Sequence, residues 1–242
     1  MEADEITDAV VLDTTYDPMA ECRELLTARG ISSDIIATGY GRHLAAEHFG
    51  AAAITEIKAF ARGAVYLQPG CRGVLDIGGQ DVKMISMDEK GRVTDFEMND
   101  RCAAGTGRFM EVMANALGYG IDEFAAAAAR ADALVKVNST CTVFAESEVV
   151  SLIARGESRD NIAFGIHEAI ADRVSAMANR VGVSENLFFA GGAARNAALK
   201  NILEKKLGVT MVVPENPQIV GALGAAISMN SLTARDSRLS ES

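Results

Sequence analysis

The sequence predicts a mixed α/β protein, and three observations carry that prediction. Short apolar runs that read as strands alternate with longer segments of helical period. Three of the strand-like runs follow one another closely, with a glycine turn between the second and third. The 22 glycines among 242 residues exceed what an all-helical chain needs, as expected where tight turns join short elements.

Taken in order, residues 34–38 (Asp-Ile-Ile-Ala-Thr) read as a short strand ending at Gly39. Gly73–Ile77 reads as a buried strand that runs into a glycine pair. Val82–Met87 and residues 93–98 follow, separated by Asp88-Glu-Lys-Gly-Arg92. That spacing is a hairpin signal, so the three runs form a meander. Phe109, Met110, Met113 and Leu117 share one face at helical spacing, and Gly118 can end that helix. Residues 121–133 are alanine-rich and helical. Residues 143–154 place Val143, Phe144, Val149, Val150 and Ile153 on a helix that stops at Gly156. Residues 161–181 form a longer helix, and residues 187–190 a short strand entering Gly191-Gly192. A helix over 195–207, a strand over 209–213 and a small-residue helix over 221–229 complete the pattern. The polar tail from Thr233 is expected to fray.

Charge narrows the function. The formal net charge is −10, which repels a phosphate backbone or an anionic membrane surface. Tryptophan is absent and aromatics make up 5%, so stacking on nucleic-acid bases is not a theme. No run of 18 apolar residues offers a transmembrane helix. The acidic start, Met-Glu-Ala-Asp-Glu, lacks the basic region of a signal peptide. A cytoplasmic protein that binds neither nucleic acid nor membrane is expected.

Two glycine turns could meet an anion. Asp76-Ile-Gly-Gly-Gln-Asp81 lies between two strands, and Gly78 and Gly79 would let backbone amides approach a phosphate with no Cβ in the way. Asp76 could hold Mg²⁺ through water, since magnesium keeps much of its hydration shell. A plain hairpin turn explains the same residues. Neither a Walker A loop nor a dinucleotide fingerprint is present. Gly191-Gly192 follows a strand and precedes a helix, the setting in which a helix N-terminus faces a phosphate; an ordinary strand-to-helix turn is the alternative.

The four cysteines, Cys22, Cys71, Cys102 and Cys141, contain no Cys-x-x-Cys pair, so a zinc knuckle is not expected. Cys102 and Cys141 each precede a predicted helix. A helix N-terminus favours thiolate, the form that ligates iron. One chain then offers two ligands where a [4Fe–4S] cluster takes four, and a two-fold axis would supply the rest. Two buried cysteines acting as small hydrophobes are the alternative. Cys22, in a helical stretch, reads as inert. Cys71, after Pro69-Gly70, reads as an exposed loop residue.

Three separated stretches resemble one family. They are Leu75-Asp-Ile-Gly-Gly-Gln-Asp-Val-Lys83, Met98-Asn-Asp-Arg-Cys-Ala-Ala-Gly-Thr-Gly-Arg-Phe109 and Ser139-Thr-Cys-Thr-Val-Phe-Ala-Glu-Ser-Glu-Val149. The family is that of the activators of 2-hydroxyacyl-CoA dehydratases, with the related ATPase subunits of benzoyl-CoA reductases. Thr38-Gly-Tyr-Gly-Arg42, Ala190-Gly-Gly-Ala-Ala-Arg-Asn196 and Gly221-Ala-Leu-Gly-Ala-Ala226 extend the likeness over residues 35–230.

The resemblance implies an actin/Hsp70/sugar-kinase-like ATPase fold, with a partial first subdomain over 1–70, a second subdomain with the nucleotide loops and cluster-bearing helices over 71–230 and a polar tail over 231–242. It also implies a homodimer or paralogous heterodimer holding one [4Fe–4S] cluster through Cys102 and Cys141 of each protomer. Asp76 matches the catalytic carboxylate, and Gly78, Gly79 and Gln80 the second phosphate loop. Gly105 and Thr106 lie near the nucleotide, and Gly191, Gly192 and Ala193 match the adenosine loop. ATP or ADP, Mg²⁺, a ferredoxin or flavodoxin as electron source and a dehydratase or reductase component follow as cofactors and partners.

The sequence departs from the family pattern in two places. The family's opening strand and its Gly-Ile-Asp-x-Gly-Ser-type first phosphate loop have no match, so the fold is expected to lack its first N-terminal hairpin. Residues 54–64 carry no Cys or His, which tilts the expectation slightly toward a reductase-type ATPase. A non-hydrolysing pairing subunit and a sugar or acyl kinase are the competing functions.

Overall fold

A computed structural model describes residues 6–138, 141–182 and 185–239, which fall into two compact units. One unit is formed by residues 1–69 with 218–242, the other by 70–217.

In the first unit residues 6–17 carry neither helix nor strand. Helix α1 (Pro18–Ala28) follows, its N-terminus capped by the Asp17 carboxylate, which accepts from Ala20 N at 3.0 Å. Strands β1 (Ile36–Ala37) and β2 (Ala52–Ala53) pair in parallel around helix α2 (Arg42–Phe49). Helix α3 (Glu56–Leu67) packs on the last helix, α9 (Val220–Leu239). Their crossing is backbone on backbone. A Cβ on Gly224 would overlap the carbonyl of Ala59, one on Gly63 would overlap the carbonyl of Val220, and one on Gly221 would press on the Phe60 ring at 3.1 Å.

Helix α9 differs from the sequence-based expectation twice. The division at 71–230 placed it in the second subdomain, whereas the chain returns and lays it on α3. The helix also continues to Leu239, through most of the tail expected to fray. Residues 230–239 contain no proline or glycine to stop it.

The second unit is a five-stranded sheet with helices α4–α8. Its strands are β3 (Gly73–Ile77), β4 (Val82–Met87), β5 (Val93–Asn99), β6 (Asn186–Ala190) and β7 (Thr210–Val212). The order is β5-β4-β3-β6-β7, so the expected meander β3-β4-β5 is antiparallel while β6 and β7 extend from β3 in parallel. Helix α7 (Arg159–Val181) lies against β4 and β5 and packs on α5 (Ile121–Arg130) and α8 (Ala197–Leu207). Helix α4 (Gly107–Ala116) packs on α6 (Thr142–Ala154).

One core joins Leu75, Ile77 and Met84 of the sheet to Phe109, Met113, Leu117, Phe124, Ile166 and Phe189. All four apolar residues expected on one face of α4 and its C-cap are buried there. Cys71 is buried, not exposed. Its thiol donates to Gly73 O at 3.2 Å as β3 begins, and burial raises its pKa. Among the described residues no helix is long and apolar enough to cross a membrane.

Candidate functional site

Two parallel strands, β3 and β6, end side by side, and each is followed by a glycine. Register sets Asp76 beside Ala190 on β6 and opposite Lys83 on β4. The chain leaves β3 at Gly78 and β6 at Gly191. In parallel sheets ligands bind outside the carboxyl ends of the strands, and here that position is lined by glycine backbone.

Gly191 has φ +85°, and a Cβ on it would overlap the carbonyl of Ile77 and come within 2.6 Å of Asp76 Oδ1. No other residue fits where the end of β6 crosses the end of β3. Its amide donates to Pro217 O at 2.9 Å. A single 3₁₀ turn, Gly192–Arg195, then leads into α8.

The turn after β3 is fastened to a helix. Gly78 N donates to Asp81 O at 3.0 Å, closing the turn. Gly107 N donates to Gly78 O at 2.8 Å, and Arg108 N to Gly79 O at 3.0 Å. A Cβ on Gly107 would press on Gly78 O at 3.1 Å. The first two amides of α4 are therefore spent on holding the turn, and are not presented to an anion. Gly79 has open space around its α-carbon, and Gln80 is exposed at the tip.

Of the residues singled out from sequence, Asp76, Gly78, Gly79 and Gly191 are brought together at this junction. Thr106 caps α4 beside it and is fully buried, its hydroxyl donating to Ala103 O at 2.7 Å. Gly105 has φ +89° and faces Arg173 and Val174 of α7. There it lines a cleft of about 410 Å³ with Asn99, Met177 and Arg180. Ala193 is buried and belongs to the hydrophobic core.

The two cysteines occupy different settings, contrary to the equal placement expected from sequence. Cys141 is the N-cap of α6 and is exposed. Cys102 is partly buried five residues ahead of α4, and its carbonyl accepts from Asn99 Nδ2 at 2.8 Å. Both are free thiols on segments leading into helices that pack on each other. Glu148 reaches back from α6 to accept from Asn138 N at 3.0 Å and Asn138 Nδ2 at 3.1 Å. It thereby clasps the chain entering Cys141.

Thiolates are the ligands that an iron–sulfur cluster takes. Cys71 is buried against a carbonyl and Cys22 lies on α1 of the other unit, so the second unit offers two accessible sulfurs. Among the described residues no group of three or more His, Cys, Asp or Glu could hold a metal. Val143, Phe144 and Val150 on α6, near Cys141, are 69%, 68% and 58% exposed.

Sequence reasoning missed two contributions. Lys83 and Asp81 are buried beside Asp76, and the signal was a lysine inside an otherwise apolar strand. His167 of α7 is fully buried against Phe124, with ring centroids 4.4 Å apart. Its Nδ1 lies 2.7 Å from Ala163 O, and its Nε2 2.9 Å from Asn196 Nδ2. Asn196 in turn caps α8, accepting from Leu199 N at 2.9 Å. The histidine therefore braces the turn that begins at Gly191.

Comparison with known proteins gives consistent results. The model of the family described as "BadF/BadG/BcrA/BcrD ATPase family" matches residues 22–228. The (R)-2-hydroxyglutaryl-CoA dehydratase activating ATPase of Acidaminococcus fermentans is 45% identical over 192 residues, covering 79% of this chain and 73% of that protein. One of the benzoyl-CoA reductase subunits of Thauera aromatica is 36% identical over 199 residues, covering 80% and 70%. The solved activator of the 2-hydroxyisocaproyl-CoA dehydratase from Clostridium difficile, with bound ADPNP, superposes with a TM-score of 0.81. It is 36% identical and covers 93% of this chain and 85% of that one. The higher identity is to a dehydratase activator, against the slight tilt toward a reductase-type ATPase.

Proposed function

The chain belongs to the BadF/BadG/BcrA/BcrD ATPase family and has its actin/Hsp70-like α/β fold, and from that premise we propose that it is an ATP-dependent one-electron donor. In this reading it activates a 2-hydroxyacyl-CoA dehydratase or a benzoyl-CoA reductase. Two protomers, alike or paralogous, share one [4Fe–4S] cluster through Cys102 and Cys141 of each. The cluster would supply a one-electron carrier. A ferredoxin or flavodoxin reloads the protein, which works in the cytoplasm.

The observation that carries this reading is the pair of backbone bonds from Gly107 and Arg108 to Gly78 and Gly79. They tie the turn proposed to hold phosphate to the helix that follows Cys102. Gly78 and Gly191 shape the two turns, and the backbone of Gly79 and Gly192 would meet phosphate oxygens and nucleoside. Asp76 would hold Mg²⁺ through water or orient the water that attacks the γ-phosphate. A shift of the turn on nucleotide binding moves α4, and through its packing α6, so both cysteine segments feel the phosphate. Such coupling requires the nucleotide to bind two conformations with different affinity. The apolar residues exposed on α6 give a second copy a surface next to Cys141.

The experiment uses anaerobically purified protein reduced with dithionite, mixed with a dehydratase component and Mg–ATP. The account expects a visible iron–sulfur absorption that re-oxidises only when ATP and the acceptor are both present. A colourless protein that phosphorylates a small molecule would replace it with the kinase reading. A coloured protein that binds no ATP would replace it with a non-hydrolysing pairing subunit.

A further inference from the structure

The hairpin that presents Asp76 buries two further charges. Lys83 faces Asp76 across the β3–β4 pair, and Asp81, two residues before it, lies on the same side because strand side chains alternate. Asp76, Asp81 and Lys83 are 2%, 5% and 1% exposed. Among its contacts, the Lys83 ammonium donates to Asp76 Oδ2 at 3.1 Å and to Asp81 Oδ1 at 2.6 Å. Lysine is almost never fully buried unless paired. Burying an ion pair is a weak route to stability, since desolvation offsets much of the attraction. The cluster therefore calls for a reason other than stability.

Geometry supplies one. Lys83 engages Oδ2 of Asp76, while Oδ1 lies against Gly191, 2.6 Å from where a Cβ would stand. One carboxylate oxygen is turned to the ammonium and the other to the glycine junction. Asp81 holds the far side of the ammonium. It also closes the turn, accepting from Gly78 N through its carbonyl, with its Oδ1 2.9 Å from a Cβ position on Gly78. The lysine thus links both ends of the turn to one orientation of Asp76.

We propose that Lys83 is the positioning residue of the phosphate site, holding the Asp76 carboxylate so that Oδ1 faces the glycine junction. This rests on the nucleotide reading above. Lys83 acts through Asp76 and touches no reacting atom.

The test compares ATP turnover and ADP affinity of the anaerobic protein with those of Lys83→Met, Asp76→Asn and the double variant. Lys83→Met is expected to lower kcat roughly a hundredfold, as misplacement of an orienting group does. ADP affinity, carried by the glycine turns, stays within about threefold. On the Asp76→Asn background Lys83→Met costs nothing further, the mark of two residues acting as one. Where Lys83→Met does not fold, Asp81→Asn with Lys83→Met is measured instead. That pair leaves these positions with one net negative charge, as in the native protein, and is expected to show the same loss. Near-native kcat in whichever variant folds, or a full second loss on the Asp76→Asn background, overturns the role. Native turnover that needs Asp76 but not Lys83 overturns this role alone; a native protein that binds no ADP overturns the nucleotide reading with it.

Discussion

His167 shows how one side chain ties the core to the site. Burial disfavours its charged form and lowers its pKa, while Ala163 and Asn196 hold the neutral ring in place. An imidazole whose folded pKa lies below the unfolded value near 6.5 makes no demand above that pH. Below it the unfolded chain binds the proton more readily, so stability falls with pH, by at most about 1.4 kcal/mol per unit. His167→Gln is expected to lose less stability between pH 7 and 5.5 than the native protein in urea titrations. Equal losses would mean that His167 does not titrate across unfolding. His167 was not legible in the sequence, and Lys83 left only the weak signal of a lysine within a strand. A lone histidine on an apolar helix carries no partner in its own window, and Val82-Lys83-Met84 reads as ordinary alternation until the hairpin folds Asp76 onto it. Gly78 and Gly191 stood out as turn glycines at strand ends, but the residues alone did not separate a plain turn from a phosphate turn.

At the scale of elements, helical and strand periods were read well where burial enforces them. The strands β3 and β4 end where the sequence placed them, and the apolar stripe of α4 is buried as a unit. Helix α6 was read as helix too, yet only Ala145 and Val149 of its apolar set are buried. Periodicity finds a helix but does not say what covers each face, and here Val143, Phe144 and Val150 remain exposed. The small residues of α9 were noticed without their reason, which is the contact of Gly224 with the Ala59 carbonyl. Gly224→Ala is expected to destabilise by roughly 1–3 kcal/mol, the usual cost of overfilling a tight contact. It should leave the visible absorption of the anaerobic protein unchanged, since Cys102 and Cys141 lie in the other unit. Thermal unfolding checks the first expectation and absorbance the second; an unchanged melting temperature would mean that the helices part to admit the methyl group.

At the scale of the whole molecule, the order of three motifs was enough to place the chain in its family, because glycines and cysteines at set spacings depend little on the intervening residues. The return of α9 to the first unit was not legible. A chain return of that span leaves no local signal, and the cut at residue 230 followed the extent of the family likeness along the chain. The separate settings of Cys102 and Cys141 were likewise hidden, since the sequence shows a helix following each but not that α4 spends its first amides on the Gly78–Gly79 turn. On the proposed reading, Cys102 and Cys141 of two copies share one cluster, which is then a property of a pair of chains. Counting iron, acid-labile sulfide and polypeptide chains in the anaerobically purified protein tests this most directly. Four iron and four sulfide for every two chains is the predicted result; a complete cluster for each single chain would contradict it.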